Sequence, residues 1–185
     1  MNESVQNIEY VVLAGGCFWC IEPIFLELKG VISSVSGYCN GLKPNPTYRE
    51  VCTGATGYAE VIKVTFDSNI ISLQEILRIF YHVHDPTTLN RQGNDKGTQY
   101  RSGIFYNSDT QRNVALAITK EISDAHLWQN PIVTEITALS NYYDAEDYHQ
   151  DYFYLNGSQP YCSFVIAPKM SKFRKEYRER LKEKV

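Results

Sequence analysis

The sequence predicts an α+β fold: a two-layer sandwich with a mixed β-sheet, a ferredoxin-like core, flanking helices, and a long C-terminal coil and helix. Apolar runs of strand length intermix with segments of helical period, without a regular strand–helix–strand repeat. A length of 185 residues, 43% of them apolar, suits one domain over residues 1–185 that buries about 70% of its unfolded surface. No internal repeat, low-complexity tract or interdomain linker interrupts the chain.

Ile8 to Leu13 is the first apolar strand, and Gly15-Gly16 after it marks a tight turn. Ile21 to Gly30 reads as a helix closed by its glycine. Pro23 lacks an amide donor, so regular helix is expected only from about Cys20, leaving Cys17 to Trp19 in the turn. Val31 to Tyr38 is a second strand, ending in the polar turn Asn40 to Pro46. Tyr58 to Phe66 alternates as a third. Ser72-Leu73-Gln74-Glu75 is a capping box, followed by Leu73, Ile76, Leu77 and Phe80 at helical spacing. Gly103 to Asn107 is a short strand, and Thr110 to Ala125 a helix with Val114, Ile118 and Ile122 as its buried stripe. Pro131 to Leu139 reads as a strand and Asp144 to Leu155 as a helix. Lys169 to Val185 carries eight basic and three acidic residues. Phe173, Tyr177 and Leu181 recur in it at every fourth position, which predicts an amphipathic helix with a solvated basic face. The polar loops Asn40 to Thr47 and Asp85 to Gln99 are long enough to suggest function.

Composition narrows the function classes. A net charge of −3 gives no global attraction to nucleic acid, and no apolar run is long enough to span a bilayer. Met1 to Asn7 lacks the basic region of a signal peptide. Five cysteines, an odd number in a chain without export signal, argue against a disulfide framework and for a reducing, cytoplasmic setting.

Chemistry concentrates in Val11-Val12-Leu13-Ala14-Gly15-Gly16-Cys17-Phe18-Trp19-Cys20. Cys17 falls where a strand hands over to a helix, and unpaired helix N–H groups there stabilise a thiolate. It reads as a nucleophilic or redox cysteine. Two other readings of the C-x-x-C pair stand beside this one. A thioredoxin-like oxidoreductase would act on protein disulfides, and a zinc module would use Cys17, Cys20, Cys39 and Cys52. Otherwise Cys39 and Cys52 read as buried small hydrophobes. Glu60 shares a strand face with Ile62, Val64 and Phe66, either as a partly buried carboxyl suited to proton donation or as a strand end that reaches water. The loop Asn90 to Ser102 can bring Asp95 and Tyr100 to the sheet edge, facing a pocket, and Tyr48 offers a phenol that could bind a polar oxygen. His84 and His149 are assigned packing or surface roles.

Several segments resemble, in order, the motifs of the class A peptide methionine sulfoxide reductases. They are Gly16-Cys17-Phe18-Trp19, Asn45-Pro46-Thr47-Tyr48, Thr56-Gly57-Tyr58-Ala59-Glu60, His84-Asp85-Pro86-Thr87, Arg91-Gln92-Gly93-Asn94-Asp95, Gly97-Thr98-Gln99-Tyr100-Arg101-Ser102 and Ala145-Glu146-Asp147-Tyr148-His149-Gln150. The resemblance implies an enzyme that reduces the S epimer of methionine sulfoxide, free or in proteins, without metal or organic cofactor. By position, Cys17 resembles the nucleophile, Glu60 the acid, and Tyr48 and Tyr100 the phenols that hold the sulfoxide oxygen. Asp95 supports the site, and Phe18 and Trp19 resemble the wall around the substrate methyl group. Cys20 stands where many members carry glycine and resembles the resolving thiol of a Cys-Phe-Trp-Cys subgroup, with Cys162 as the alternative. Tyr58 stands where histidine is common. Thioredoxin is the implied reductant, and the chain is expected to act as a cytoplasmic monomer without nucleic-acid or membrane partners.

Overall fold

The computed structural model describes residues 6–183; the reading of residues 1–5 and the last two residues of the basic tail lie outside them. In chain order the elements are β1 (Ile8–Gly15), α1 (Phe18–Leu26), β2 (Val31–Cys39), α2 (Tyr48–Val51) and β3 (Ala59–Asp67). Next come α3 (Leu73–Val83), the two-residue strands β4 (Arg91–Gln92) and β5 (Asp95–Lys96), and β6 (Ser102–Tyr106). The chain continues through α4 (Asp109–Asp124), β7 (Glu135–Ala138), β8 (Tyr142–Asp144), α5 (Tyr152–Leu155) and α6 (Ala167–Glu176).

Strand order β6-β1-β3-β2, with each pairing antiparallel and helices α1 and α3 in the crossovers, is the expected ferredoxin-like core. Parallel β7 beside β6 and antiparallel β8 beside β2 make the sheet mixed. These outermost strands are joined by only Leu139-Ser140-Asn141, so the sheet must curl until its edges meet. Asn40 seals the closure: its side-chain amide donates to the Ala138 carbonyl (2.9 Å) and accepts from the Ser140 amide (2.9 Å). The curl encloses a small core of Val12, Ala14, Cys39, Ala59, Val61 and Phe105. The larger core lies between the opposite face and the helices, where Ile62, Val64 and Phe66 of β3 meet Ile21, Ile24 and Phe25 of α1. Strand alternation therefore splits β3 between two cores, as its sequence pattern requires.

Local differences from the sequence reading have identifiable causes. Helix α1 begins at Phe18, with Cys17 at its N-cap, despite Pro23 within it. The Phe18 amide finds a carboxylate acceptor in Glu60 Oε2 (3.2 Å), so the first turn is anchored before the proline. The helix ends at Leu26, and Gly30, at φ +87°, turns the chain into β2. Ser72 Oγ caps α3 by accepting from the Glu75 amide (3.2 Å), but the Glu75 carboxylate pairs with Arg180 (2.9 Å) instead of closing the box. The strand expected from Pro131 starts only at Glu135.

The helix expected over Asp144 to Leu155 does not form. The segment is an edge strand, a 3-10 turn (Asp147–His149) and the single turn α5. Glu146 accepts from the Tyr38 hydroxyl (2.7 Å) and the Tyr48 amide (2.8 Å). The Gln150 side chain accepts from the Ser36 amide (2.9 Å) and donates to the Ser36 and Ala145 carbonyls (3.0 Å each). These bonds lash the segment along β2, and Asp151 at φ 52° breaks the helical path. At the C-terminus α6 stops at Glu176. A 3-10 turn follows, and Leu181 forms a β-bridge with Leu28, while the Arg174 guanidinium pairs with Glu27 (2.8 Å from Nε). Among the described residues, no helix is long and apolar enough to cross a membrane.

Candidate active site

A cleft of about 490 Å³ is lined by Cys17, Cys20, Gln92, Asp95, Tyr161 and Lys169, among others. Its floor is the elbow between β1 and α1. Gly16 there has φ +90°, and a side chain would strike Gln92, whose nearest atoms lie 2.5 Å from an ideal Cβ position. Gln92 is itself fixed by two bonds to the Asp85 backbone (3.1 and 2.9 Å). Glycine therefore lets the loop after α3 close directly onto the thiol-bearing elbow.

Cys17 and Cys20 are adjacent on the first helical turn, where the Cys20 amide donates to the Cys17 carbonyl (3.0 Å), and both are reduced and buried. Their side chains share a hydrogen bond. Burial raises the Cys17 pKa well above the usual thiol value, reinforced by the hydrogen bond to Cys20 and the nearby Glu60. The Cys20 pKa falls to about 7, chiefly through that bond from Cys17, opposed by burial and aided by Lys169 and Tyr161. Of the two thiols Cys20 is thus the one that ionises more readily, while burial favours the protonated form of Cys17. Burial thus works against the stabilisation that helix N–H groups offer a Cys17 thiolate.

Glu60 is 1% exposed, and its Oε1 has no hydrogen-bond partner. Burial lifts its pKa to about 8, against the lowering effect of the Phe18 amide, with Asp95 and Cys20 adding to the rise. A protonated carboxyl therefore sits beneath Cys17 at neutral pH. The alternative of a strand end reaching water is excluded by its burial.

An aromatic wall rises beside the thiols. The Trp19 ring stacks on Tyr152 (centroids 3.8 Å, 6° apart), and its indole N–H donates to His149 Nδ1 (3.1 Å). Phe18 packs against His149 and Tyr48 (5.1 and 6.4 Å). Tyr48 and Tyr100 are half-buried, and burial together with the field of Glu60 raises both phenol pKa values, keeping them neutral hydrogen-bonding groups. Tyr48 is carried by α2, which the sequence reading passed over although Thr47 and Glu50 form a full capping box around it.

Comparison with known proteins gives the site its context. The family model described as "Peptide methionine sulfoxide reductase" matches residues 9–181. The chain belongs to this family. It is 51% identical over 170 residues to the peptide methionine sulfoxide reductase MsrA of Trichodesmium erythraeum, covering 92% of this chain and 96% of that one. To the MsrA of Polynucleobacter asymbioticus it is 46% identical over 177 residues, 96% and 93% of the two chains. Reduced Mxr1 from Saccharomyces cerevisiae superposes with TM-score 0.79 at 38% identity, over 88% of this chain and 92% of that one. Mxr1 in complex with Trx2 gives TM-score 0.57 at 28% identity, over 82% and 89%.

Within this family frame, Cys17, Cys20 and Asp95 line one cleft, with Phe18 and Glu60 directly beneath. Cys162 is fully buried, does not line the cleft and lies in a π-helical turn (Cys162–Ile166). Cys39 lies in the small core inside the curl and so is not assembled with Cys17 and Cys20, which removes the four-cysteine zinc arrangement. Cys52 is exposed, not buried as expected, because it closes the C-terminal end of the one-turn α2. Tyr58 turns its hydroxyl to the Lys43 carbonyl, pinning the Asn40 to Thr47 loop. His84 is a packing residue, bonded to the Phe80 carbonyl (2.6 Å) and Ser102 Oγ (2.7 Å), and burial lowers its pKa to about 4. His149 is buried in the aromatic wall.

Two cleft residues were missed by the sequence reading. Tyr161 bonds to Cys20 Sγ (3.3 Å) and donates to Asp95 Oδ2 (2.8 Å). Lys169, read as part of a solvated basic face, lines the cleft. Only the Gln159-Pro160-Tyr161-Cys162 turn ahead of a helix hinted at either.

Proposed function

We propose that the chain reduces methionine (S)-sulfoxide, free or in proteins, through Cys17 and Glu60, and is recycled by thioredoxin. The buried Glu60 carboxyl, bonded to the amide that follows Cys17, carries this reading. Sulfoxide sulfur is a weak electrophile until its oxygen is protonated, so a thiol with a neutral acid beside it is the required pair. Entry of substrate moves the Cys17 proton to Cys20, and the Cys17 thiolate attacks sulfur. Glu60 gives its proton to the sulfoxide oxygen, which Tyr48 and Tyr100 hold and the Asp95 side supports. Phe18 and Trp19 enclose the methyl group. The oxygen passes to Cys17, leaving methionine and Cys17 sulfenic acid. The Cys20 sulfur then attacks Cys17, water leaves, and a Cys17–Cys20 disulfide forms. Its adjacency on one helical turn supports Cys20 over the buried Cys162. Exchange with a thioredoxin dithiol restores both thiols, in keeping with five free cysteines in a reducing, cytoplasmic compartment.

Thioredoxin-coupled turnover with the separated S and R sulfoxides tests the assignment, with insulin reduction run beside it. The proposal expects turnover of the S epimer alone. Turnover confined to the R epimer, or insulin reduction without sulfoxide turnover, would overturn it.

A further inference from the structure

We propose that Tyr161 is a catalytic proton relay for the second thiol, carrying the Cys20 proton to Asp95 while Lys169 is positioned to hold the resulting thiolate. This rests on the reading that Cys20 resolves the Cys17 sulfenic acid. In that reading Cys20 receives the Cys17 proton in the first step and must lose it before the second. The geometry supplies the route. Tyr161 Oη lies 3.3 Å from Cys20 Sγ and donates to Asp95 Oδ2 at 2.8 Å, so its free lone pairs face the thiol. As Cys20 gives its proton to Tyr161, Tyr161 passes its own to Asp95. The Cys20 sulfur forms the S–S bond, the Cys17–O bond breaks, and the oxygen leaves as water. The proton that Asp95 releases balances the one that the departing hydroxide takes up to become water, so the step consumes only the Cys20 thiol and the sulfenic acid.

The groups that set the charge of Cys20 converge from four elements, with buried Glu60 and Cys162 feeling its field in turn. Cys17 comes from the elbow, Asp95 from the β4–β5 hairpin, Tyr161 from the turn before α6, and Lys169 from α6 itself. Lys169 is the cation among them; burial lowers its pKa, while Cys20, Cys17 and Asp95 draw it back up. The second thiol therefore has a hydrogen-bonded proton path of its own through Tyr161, beside a cation whose field reaches both thiols.

The test has two arms. In Cys17→Ser protein, iodoacetamide labelling of Cys20 is followed by peptide mass across pH. The proposal expects the labelling midpoint to rise by about one unit or more in Tyr161→Phe and Lys169→Met, and to stay near its parent in Lys169→Arg. Unchanged midpoints in the first two variants would overturn it. In single turnover of the otherwise unaltered chain, Tyr161→Phe should slow decay of the dimedone-reactive sulfenic acid about tenfold more than methionine release. Equal slowing of both steps means a merely structural tyrosine and overturns the relay. Decay in Cys20→Ser as fast as in the parent would instead refute Cys20 as the resolving thiol, whatever the labelling arm shows.

Discussion

Cys17, Phe18 and Glu60 stand at the N-cap of α1, on α1 and on β3, whereas Asp95, Tyr161 and Lys169 come from the β4–β5 hairpin, the cap of a π-helical turn and the start of α6. The first group forms the floor of the cleft. Its positions are fixed by continuous antiparallel ladders, Leu13 opposite Ile62 and Tyr38 opposite Glu60, and by a fully buried core beneath. The second group and the strap of residues 145–150 form the outer wall, held by individual side-chain bonds such as those of Gln92, Tyr161, Gln150 and Glu146. The floor carries the bond-making atoms and the acid, where an error of an ångström is costly. The wall handles the proton traffic of Cys20, which tolerates looser positioning. If this division holds, substitutions in the floor cut chemistry without disturbing the fold, and substitutions in the wall alter local order or timing.

The largest effect is expected at Cys17. Cys17→Ser should abolish methionine formation in a single turnover, with a melting temperature close to that of the parent; residual turnover would show that another thiol attacks. Glu60→Gln comes next, slowing the methionine-forming step by about 10²–10⁴. The parent rate should fall as pH rises past about 8, where Glu60 loses its proton. A flat rate through pH 9 would remove Glu60 from the acid role.

Gln150→Ala leaves the Ser36 amide without its side-chain acceptor, while the Ser36 carbonyl keeps the Ala145 amide, and should cost about 1–3 kcal/mol. Hydrogen exchange should quicken over residues 145–160 while β1 and β3 stay protected. Uniform acceleration along the chain would dissolve the distinction between floor and wall.

Glu22 gives the smallest effect. It is buried on α1 away from the cleft lining, accepts from the Asp151 amide (3.2 Å), and burial raises its pKa to about 7. The native chain therefore holds a proton there that the unfolded chain loses above the ordinary carboxylate range. Stability falls as pH climbs from about 4.5 to about 7. Glu22→Gln should become more stable than the parent by roughly 1–2 kcal/mol at pH 8, and by less at pH 5, in denaturant titrations. A difference independent of pH would contradict the burial account.

The floor was legible in the sequence because its signals are periodic. Alternation from Tyr58 to Phe66 put Glu60 on the inner face, and the apolar run into Gly15-Gly16 located Cys17. The wall was legible only through resemblance, and only in part. Its segments are shaped by tertiary bonds that periodicity cannot carry: Glu146 and Gln150 spend their side chains on β2 and Tyr48, so a helix-like stretch becomes a strap. Tyr161 and Lys169 acquire meaning only when the π-helical turn brings them over Cys20. Lys169 was hidden by its company, since its basic neighbours Lys172 and Lys175 do face solvent.

The central claim is that attack and resolution both occur within one helical turn. Reduced protein is mixed with one equivalent of methionine (S)-sulfoxide, quenched in acid over time, alkylated, and its first disulfide mapped by mass. The account predicts that methionine appears first and that the earliest disulfide joins Cys17 to Cys20. A Cys17–Cys162 bond at the earliest times would contradict it.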